Sequence, residues 1–504
     1  MHVRHLLLLV ALVLATADLA VQDRVLRVSA GDDLQAALDA ARPGDTILVE
    51  AGATFSGNFV LPAKDGDAWI TVSSSASSDG IPTEGRRIRP ADAARLARLR
   101  SPNDEPALRT APGAHHWRLR LLELGPTAGG GDVVAFGEGQ RQRAADVPHD
   151  LEIDRCYIHG APERGQRRGV ALNSASTTIR NSYIADIKSD GVDSQAIGGW
   201  NGPGPFDIVN NYLEAAGENV MFGGGDPSIR GLVPSDIRVI GNHLAKPVAW
   251  RGGPWDVKNL FELKNARRVR IEGNLFEHNW QAAQPGPAIV FTPRNQEGGA
   301  PWSGIEDVVF QGNVVRHVAA AFNILGHDDN APSRQTRQVT IANNVLYDVD
   351  AAAWGGNGVF LLIGDGATDI HVERNTVVHS GNVISAYGRP TTGFVFRDNL
   401  VRHNRYGIKG DGAGVGDDTI ATYFPGGEVS GNVFAGGPAG RYPGDNQFPA
   451  DARWASWFAG AHDLPVLSAE AQRRAAADAA GANVAAVLDA ARRALAGTAR
   501  ANVR

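Results

Sequence analysis

Two charged side chains stand on one short segment whose pattern is that of a half-buried strand. Residues 259–265 read NLFELKN, and the alternation places Glu262 and Lys264 on the exposed face, about 7 Å apart. A later segment, AIVFTPRN, presents Thr292 and Arg294. A lysine that is crowded by another cation or partly desolvated can lose its proton near neutral pH, and the planar arginine fork binds carboxylates. We therefore expect Lys264 and Arg294 to support proton transfer beside a bound anion.

Side chains that carry oxygen atoms come from the preceding repeat of the same pattern. The segment GENVMFGGGD contributes Glu218 and Asn219. Ca²⁺ is a hard cation that prefers carboxylate and amide oxygens. Glu218, Asn219 and Glu262 are therefore candidate ligands for a calcium ion.

Three tryptophans lie in the loops that flank these segments, at 245–257 and 279–287. Aromatic faces can stack on sugar rings, so the charged segments and the loops together have the ingredients of a carbohydrate groove. The candidate substrate-binding residues are Glu262, Asn219, Thr292, Trp250, Trp255, Trp280 and His327.

A repeated asparagine predicts the scaffold that positions these groups. Two or three alternating apolar residues, a short turn, an asparagine and another apolar pair recur at intervals of about 30 residues. Three short strands in each repeat predict an all-β fold, a right-handed parallel β-helix solenoid in which each asparagine bonds the next one along a ladder. Ser182 and Cys156 occupy the same place in two earlier repeats and should end the ladder. The predicted ladder residues are Asn211, Asn242, Asn274, Asn313, Asn344, Asn375, Asn399 and Asn432.

The two ends of the chain have different patterns from the repeats. Residues 1–17 combine a basic start, a short apolar run and small residues, which predicts a secretory signal peptide, no membrane anchor after cleavage, and a secreted or periplasmic protein. Residues 28–52 predict an N-terminal cap with a helix, residues 53–440 the β-helix, and residues 441–504 a C-terminal extension with an alanine-rich helix.

Composition limits the classes of partner. The formal charge of -6 is mild for 504 residues and gives no reason to expect nucleic acid. The chain has one cysteine, so no internal disulfide can form, and we interpret Cys156 as a buried structural thiol. We expect a monomer whose partner is an acidic polysaccharide.

The chain resembles the pectate lyase superfamily of right-handed parallel β-helix proteins. The likeness rests on the N-terminal LQAALDAARPGDTILVEAGATFSGNF, which looks like the entry cap of such proteins, and on the repeated I-x-x-N-x-apolar turn, which looks like their asparagine ladder. It covers residues 28–440. The scaffold hosts polysaccharide lyases, polygalacturonases, epimerases, phage tailspikes and non-catalytic surface proteins, so it implies a fold and a range of functions.

Within the superfamily, the chain is similar to the alginate lyase and chondroitinase B group. That group places a lysine and an arginine on neighbouring coils beside a calcium site. The resemblance implies a polysaccharide lyase that acts by β-elimination, with Lys264 as the base and Arg294 as the carboxylate clamp or acid. The sequence departs from the group in its metal site, because Glu262 and Lys264 stand where two glutamates are expected.

Two other functions remain open. Glu262 and Lys264 could form a surface salt bridge while Arg294 braces a loop, in a non-catalytic carbohydrate-binding or surface β-helix protein. The segment KSDGVDSQ resembles the first aspartate motif of polygalacturonases, with Asp190 and Asp193 as carboxylates of a glycoside hydrolase.

Overall fold

A computed structural model describes residues 24–76, 80–458, 463–469 and 480–497. The predicted signal peptide lies outside these ranges. The described chain winds through three parallel sheets, which we call A, B and C, and strands are numbered β1 to β39 along the chain. No helix in the described ranges is long and apolar enough to cross a membrane.

Sheet A has 14 strands in coil order. They are β1 (Val25–Val28), β2 (Thr46–Val49), β5 (Ile70–Ser74), β8 (His115–Arg120), β11 (His149–Asp154), β14 (Thr177–Arg180), β17 (Phe206–Val209), β20 (Ser235–Ile240), β23 (Ala266–Glu272), β26 (Ile305–Gln311), β29 (Arg337–Ala342), β32 (Thr368–Glu373), β35 (Val395–Arg397) and β38 (Glu428–Ser430).

Sheet B has 13 strands. They are β3 (Thr54–Ser56), β6 (Ala97–Arg100), β9 (Leu122–Leu124), β12 (Tyr157–His159), β15 (Tyr183–Ile187), β18 (Tyr212–Ala215), β21 (His243–Ala245), β24 (Leu275–Asn279), β27 (Val314–Val318), β30 (Val345–Val349), β33 (Thr376–His379), β36 (Leu400–Arg402) and β39 (Val433–Ala435).

Sheet C has 12 strands and carries most of the predicted site. They are β4 (Phe59–Leu61), β7 (Leu108–Thr110), β10 (Asp132–Phe136), β13 (Arg168–Leu172), β16 (Gln195–Gly199), β19 (Glu218–Phe222), β22 (Asn259–Leu263), β25 (Pro287–Phe291), β28 (Ala320–Leu325), β31 (Leu361–Gly364), β34 (Ile384–Tyr387) and β37 (Ile408–Gly410).

The strand register places apolar residues of neighbouring coils directly above one another. The interior is therefore filled by continuous columns of apolar side chains. Phe261 in β22 pairs with Val220 in β19 and with Ile289 in β25, and Ile289 pairs with Phe322 in β28. All four side chains belong to the main core cluster. A coil cannot bury these side chains alone, so the stacking of neighbours supplies the stability.

The predicted asparagine ladder is confirmed. Each amide Nδ2 donates to the Oδ1 of the next ladder asparagine at 2.9–3.2 Å, from Asn211 to Asn432. Ser182 and Cys156 continue the ladder toward the N-terminus, since Asn211 accepts from the Ser182 amide and Ser182 Oγ accepts from the Cys156 amide. Asn446, which the repeat pattern missed, accepts from Asn432 at the other end. Burial raises the pKa of the Cys156 thiol to about 12, which fits a structural thiol.

In the described part of the chain, the α-helices that lie between or beside the coils are α1 (Leu34–Ala40), α2 (Ala351–Trp354), α3 (Asp417–Tyr423) and α4 (Val484–Ala496). Helix α1 lies in the predicted cap, where the Asp33 side chain accepts from the Ala36 amide. Strands β1 and β2 flank α1 and pair in sheet A, so this sheet begins before residue 53.

The C-terminal helix α4 packs along the outer face of sheet B. Val484, Val487 and Leu488 form a buried cluster with Leu275 and Val314 of that sheet. In the early coils, Ile81 and Ile88 pack beside tyrosines of the same face. Parts of the outer face of sheet B are therefore covered by other segments of the chain.

Candidate functional site

The polar groups of the candidate site lie on the outer face of sheet C. Outward positions form rows along the helix axis, with neighbouring coils about 4.8 Å apart. One row pairs Gln195 with Glu218 and Glu218 with Asn259. A second row pairs Met221 with Glu262 and Glu262 with Val290. Carboxylates and amides from several coils thus share one surface.

Alternation predicted that Glu262 and Lys264 both lie on the exposed face; Lys264 is partly exposed, but Glu262 is buried, so the expectation is wrong for Glu262. Phe261 and Leu263 are core residues, and Lys264 Nζ lies 2.8 Å from Glu262 Oε1. The Lys264 side chain retains 16% of its exposed surface, whereas that of Glu262 retains 2%. The carboxylate therefore lies beneath the ammonium group, where the Asn259 amide also donates to it at 3.1 Å.

Arg294 lies one coil further along, directly beside Lys264. Its backbone amide donates to the Lys264 carbonyl at 2.9 Å. Its Nη1 atom contacts Asp328 at 2.8 Å and Asp329 at 2.9 Å. Within the described ranges, the Nε and Nη2 atoms of Arg294 have no hydrogen-bond partner, so one edge of the guanidinium fork is left for a ligand.

Lys258, which sequence reasoning missed, forms a third pair of a cation and a buried carboxylate, after Lys264 with Glu262 and Arg294 with Asp328. Its Nζ lies 3.8 Å from Glu218 Oε1 and also bonds Asp193. Gln195 donates to the other carboxylate oxygen of Glu218 at 2.7 Å. Burial raises the pKa of the Glu218 carboxyl to about 7, and the nearby carboxylates of Glu262 and Asp193 act in the same direction.

These pairs share one arrangement. The cations Lys258, Lys264 and Arg294 keep 18%, 16% and 16% of their side-chain surface exposed. The carboxylates beneath them, Glu218, Glu262 and Asp328, keep 1%, 2% and 0%. Buried carboxylates therefore hold the cations in place, while Asp193 and Asp329, whose side chains keep 46% and 64% of their surface exposed, share the accessible layer with them. The cations of this layer can contact an anionic ligand.

Asn219 does not lie on this surface, and the expectation that it presents its amide there is wrong. In the register it takes the place of Leu260, a core residue. Its Nδ2 donates to the carbonyls of Leu213 and Ala245 at 2.7 and 2.8 Å. The residue is wholly buried.

Lys246 explains why an amide is buried at that place. Its ammonium group lies fully inside the coil, where Asn219 Oδ1 accepts from Nζ at 3.0 Å. Burial lowers the pKa of Lys246, while Glu218 opposes that shift. A lone lysine after an apolar repeat, as in HLAKP, gives a weak signal of such a role. The remaining acceptors of Nζ, at 2.8–2.9 Å, are the carbonyls of Ala215, Ala216, Gly217 and Asn259.

The three predicted tryptophans pack against the protein. Trp250 and Trp280 are buried in one aromatic cluster with Trp255 beside them. Lys188 Nζ lies 4.9 Å from the Trp250 ring and 5.4 Å from the Trp255 ring. This packing does not support the predicted stacking on sugar rings, because the tryptophan rings already pack against one another and against the Lys188 ammonium group.

Thr292 and His327 lie at the ends of sheet C strands on the same edge as Lys264. The Thr292 amide donates to the Leu263 carbonyl at 3.0 Å, and its side chain is mostly buried. The half-buried His327 ring contacts the Asp365 carbonyl through Nδ1 at 3.2 Å. Asp190 is exposed on its loop, away from the Asp193 contact with Lys258.

The three residues predicted as calcium ligands do not converge. Asn219 faces the interior, Lys258 adjoins Glu218, and Lys264 adjoins Glu262. Ammonium groups therefore already occupy positions beside the carboxylates of Glu218 and Glu262. Within the described ranges, no group of three His, Cys, Asp or Glu side chains is arranged to hold a metal ion. We assign no step to calcium, and a calcium requirement stays a prediction.

Comparisons with known proteins support the fold. No family model matches the chain, and no curated protein matches it significantly. Among solved structures, the PL6 family alginate lyase AlyGC is 15% identical with a TM-score of 0.51, over 83% of this chain and 53% of that one. The present chain therefore spans about half of AlyGC.

Two other structures are similar at lower scores. The catalytic unit of a GH87 alpha-1,3-glucanase from Streptomyces thermodiastaticus is 15% identical with a TM-score of 0.48, over 85% of this chain and 70% of that one. The PL6 family polysaccharide lyase Pedsa3628 from Pseudopedobacter saltans is 11% identical with a TM-score of 0.41, over 84% of this chain and 92% of that one. At such identities, the likeness to AlyGC shows that the chain has the right-handed parallel β-helix fold.

Proposed function

We propose that the protein cleaves an acidic, uronate-containing polysaccharide by β-elimination on the outer face of sheet C. The observation that carries the proposal is the layer formed by Lys264 and Arg294, two accessible cations on successive coils above the buried carboxylates Glu262 and Asp328. The description of AlyGC as an alginate lyase supports the same class of reaction.

The reaction needs a neutralised carboxylate, a base and a proton for the leaving oxygen. The free edge of Arg294 pairs with the sugar carboxylate, which makes the adjacent α-proton more acidic. The Nζ atom of Lys264 removes that proton, and Glu262 holds Nζ in place through a contact of 2.8 Å. As the α-carbon loses its proton, the bond to the leaving oxygen breaks and a carbon–carbon double bond forms. Lys264 then gives the proton that it has taken up to the leaving oxygen.

The test is an absorbance assay for newly formed unsaturated uronate. Purified protein is incubated with pectate, alginate, chondroitin and a neutral glucan, with calcium and with a chelator. We expect a rise on at least one acidic polymer and none on the glucan. Lys264→Ala should abolish the rise, whereas Lys64→Ala, a lysine of the first coils, should not change it. A rise that survives Lys264→Ala would contradict the assignment.

One observation favours a second candidate, a glycoside hydrolase. The pKa of Glu218 is raised to about 7, which suits a general acid, and a second carboxyl group, that of Asp193, contacts the same lysine, Lys258. New reducing ends without unsaturated product, lost in Glu218→Gln, would favour this function. Retention of the polymer with no product would instead favour a non-catalytic binding protein.

A further inference from the structure

A cavity of about 330 Å³ opens at the corner where sheet C strands end and sheet A strands begin. Arg267, Arg334 and Arg337 line it, together with Trp302 and Glu306. Three guanidinium groups thus face one carboxylate, on a chain whose formal charge is -6. Such a local excess of positive charge attracts anions.

Within the described ranges, most hydrogen-bond donors of these arginines have no partner. Arg337 Nη2 contacts Glu306 Oε1 at 2.5 Å, and the Nε of Arg267 donates to Ser235 Oγ at 2.9 Å. In the part of the chain that the structure describes, the Arg334 guanidinium has no hydrogen bond or ion pair. Its backbone is fixed, because the Arg334 amide donates to the Ser303 carbonyl at 2.8 Å. The remaining donors can bind an anion without first breaking internal contacts.

Trp302 gives the cavity an aromatic wall. Its Nε1 donates to the Leu232 carbonyl at 3.0 Å, which fixes the half-buried ring at this place. An aromatic ring beside guanidinium groups offers both a stacking surface for a sugar and partners for its carboxylate. This combination fits a sugar acid better than a simple inorganic anion.

The cavity is continuous in the chain with the sheet C site. Lys264 follows β22 and Arg267 belongs to the next strand, β23, only three residues later. One loop likewise begins beside Arg294 and contains Trp302 before β26 starts. A polymer that lies across sheet C and turns over this corner therefore reaches the arginines.

We propose that this cavity is a second binding site for the same acidic polysaccharide, which holds the carboxylates of sugar units beyond the cleavage site. The inference rests on the proposed function for the identity of its ligand. It predicts that the polymer is bound at two places, with the arginines adding to the affinity but taking no part in bond cleavage.

Binding should be measured by electrophoresis in gels that contain alginate, polygalacturonate, chondroitin or a neutral glucan. Lys264→Ala protein serves as the parent, so that the polymer is not consumed. Adding Arg267→Ala and Arg334→Ala, both at exposed side chains, should weaken binding of the acidic polymer roughly three- to tenfold. Arg374→Ala, an exposed arginine far along sheet A, is the matched control and should change the affinity less than about twofold.

The outcomes separate the two proposals. Unchanged affinity in the double variant, or an equal loss in the Arg374 control, would overturn the second site and leave the cleavage proposal standing. Binding that depends on the arginines, together with a wild-type protein that makes no unsaturated product, would support the second binding site. It would overturn the proposal that the protein is a lyase. A parent that binds none of the acidic polymers would overturn both.

Discussion

Lys264 Nζ lies 2.8 Å from Glu262 Oε1, with the ammonium group toward solvent and the carboxylate buried beneath it. The pair sits on a single strand edge, at positions two residues apart. Arg294 and Asp328 repeat the arrangement on the following coils. Buried carboxylates fix the accessible cations, so the site is pre-organised before any ligand arrives.

Loss of Lys264 should abolish cleavage. Lys264→Ala is expected to lower kcat/KM at least about 100-fold, because it removes the Nζ atom that is proposed to accept the α-proton. Lys264→Arg should be nearly as poor, since a guanidinium does not release its proton near neutral pH. Steady-state kinetics on the best polymer measures both. Activity within about threefold of wild type in either variant, with unchanged circular dichroism, would contradict the role as base.

Arg294 and Asp329 should respond differently to substitution. Arg294→Lys is expected to lower kcat/KM roughly tenfold or more, because an ammonium group cannot offer the two-pronged contact to a carboxylate. Asp329→Asn should have an effect within about threefold, since Asp329 is largely exposed and Asp328 still holds Nη1. Equal losses in the two variants would indicate that Arg294 only braces its loop.

Glu218 should make stability depend on pH. Its pKa is raised in the folded protein from 4.5 to about 7, so the folded state binds this proton more tightly than the unfolded chain does. Its contribution to the free energy of unfolding is therefore full below about pH 4.5 and is lost as the pH rises toward 7. The urea midpoint should fall across this range in wild type and fall less in Glu218→Gln. Parallel curves for the two proteins would contradict the assignment.

The ladder should tolerate serine better than alanine. Asn313 donates to the Ile271 carbonyl at 2.8 Å, and its Oδ1 accepts from the Asn274 amide at 2.9 Å. Asn313→Ala leaves these buried partners unsatisfied and should reduce the free energy of unfolding by about 3 kcal/mol. Asn313→Ser should cost less, because Ser182 already fills a ladder position. Urea unfolding compares them, and equal costs would argue against hydrogen bonding as the ladder's contribution.

The fold could be predicted because each repeat carries its own signal. The asparagine indicates the bend, and the alternation of apolar residues beside it indicates the strand. Both features can be predicted from residues that are close together in the sequence. The same local pattern predicted that Lys264 and Arg294 are neighbours, but it did not predict that Glu262 is buried beneath Lys264.

The missed features depend on contacts between coils. Asn219 faces inward although alternation with Val220 suggests otherwise, because Lys246 from the next coil needs its oxygen. The aspartates that hold Arg294 come from the following coil, and Lys258 reaches Glu218 from across the coil boundary. Helix α4 covers sheet B through contacts with residues far away in the sequence.

We expect the glycosidic bond to break by elimination rather than by addition of water. The most direct measurement is mass spectrometry of the products formed in water labelled with heavy oxygen. β-Elimination predicts unsaturated ends that contain no solvent oxygen, formed by wild type and absent with Lys264→Ala. Products that carry heavy oxygen at the new ends would instead show hydrolysis and contradict the lyase account.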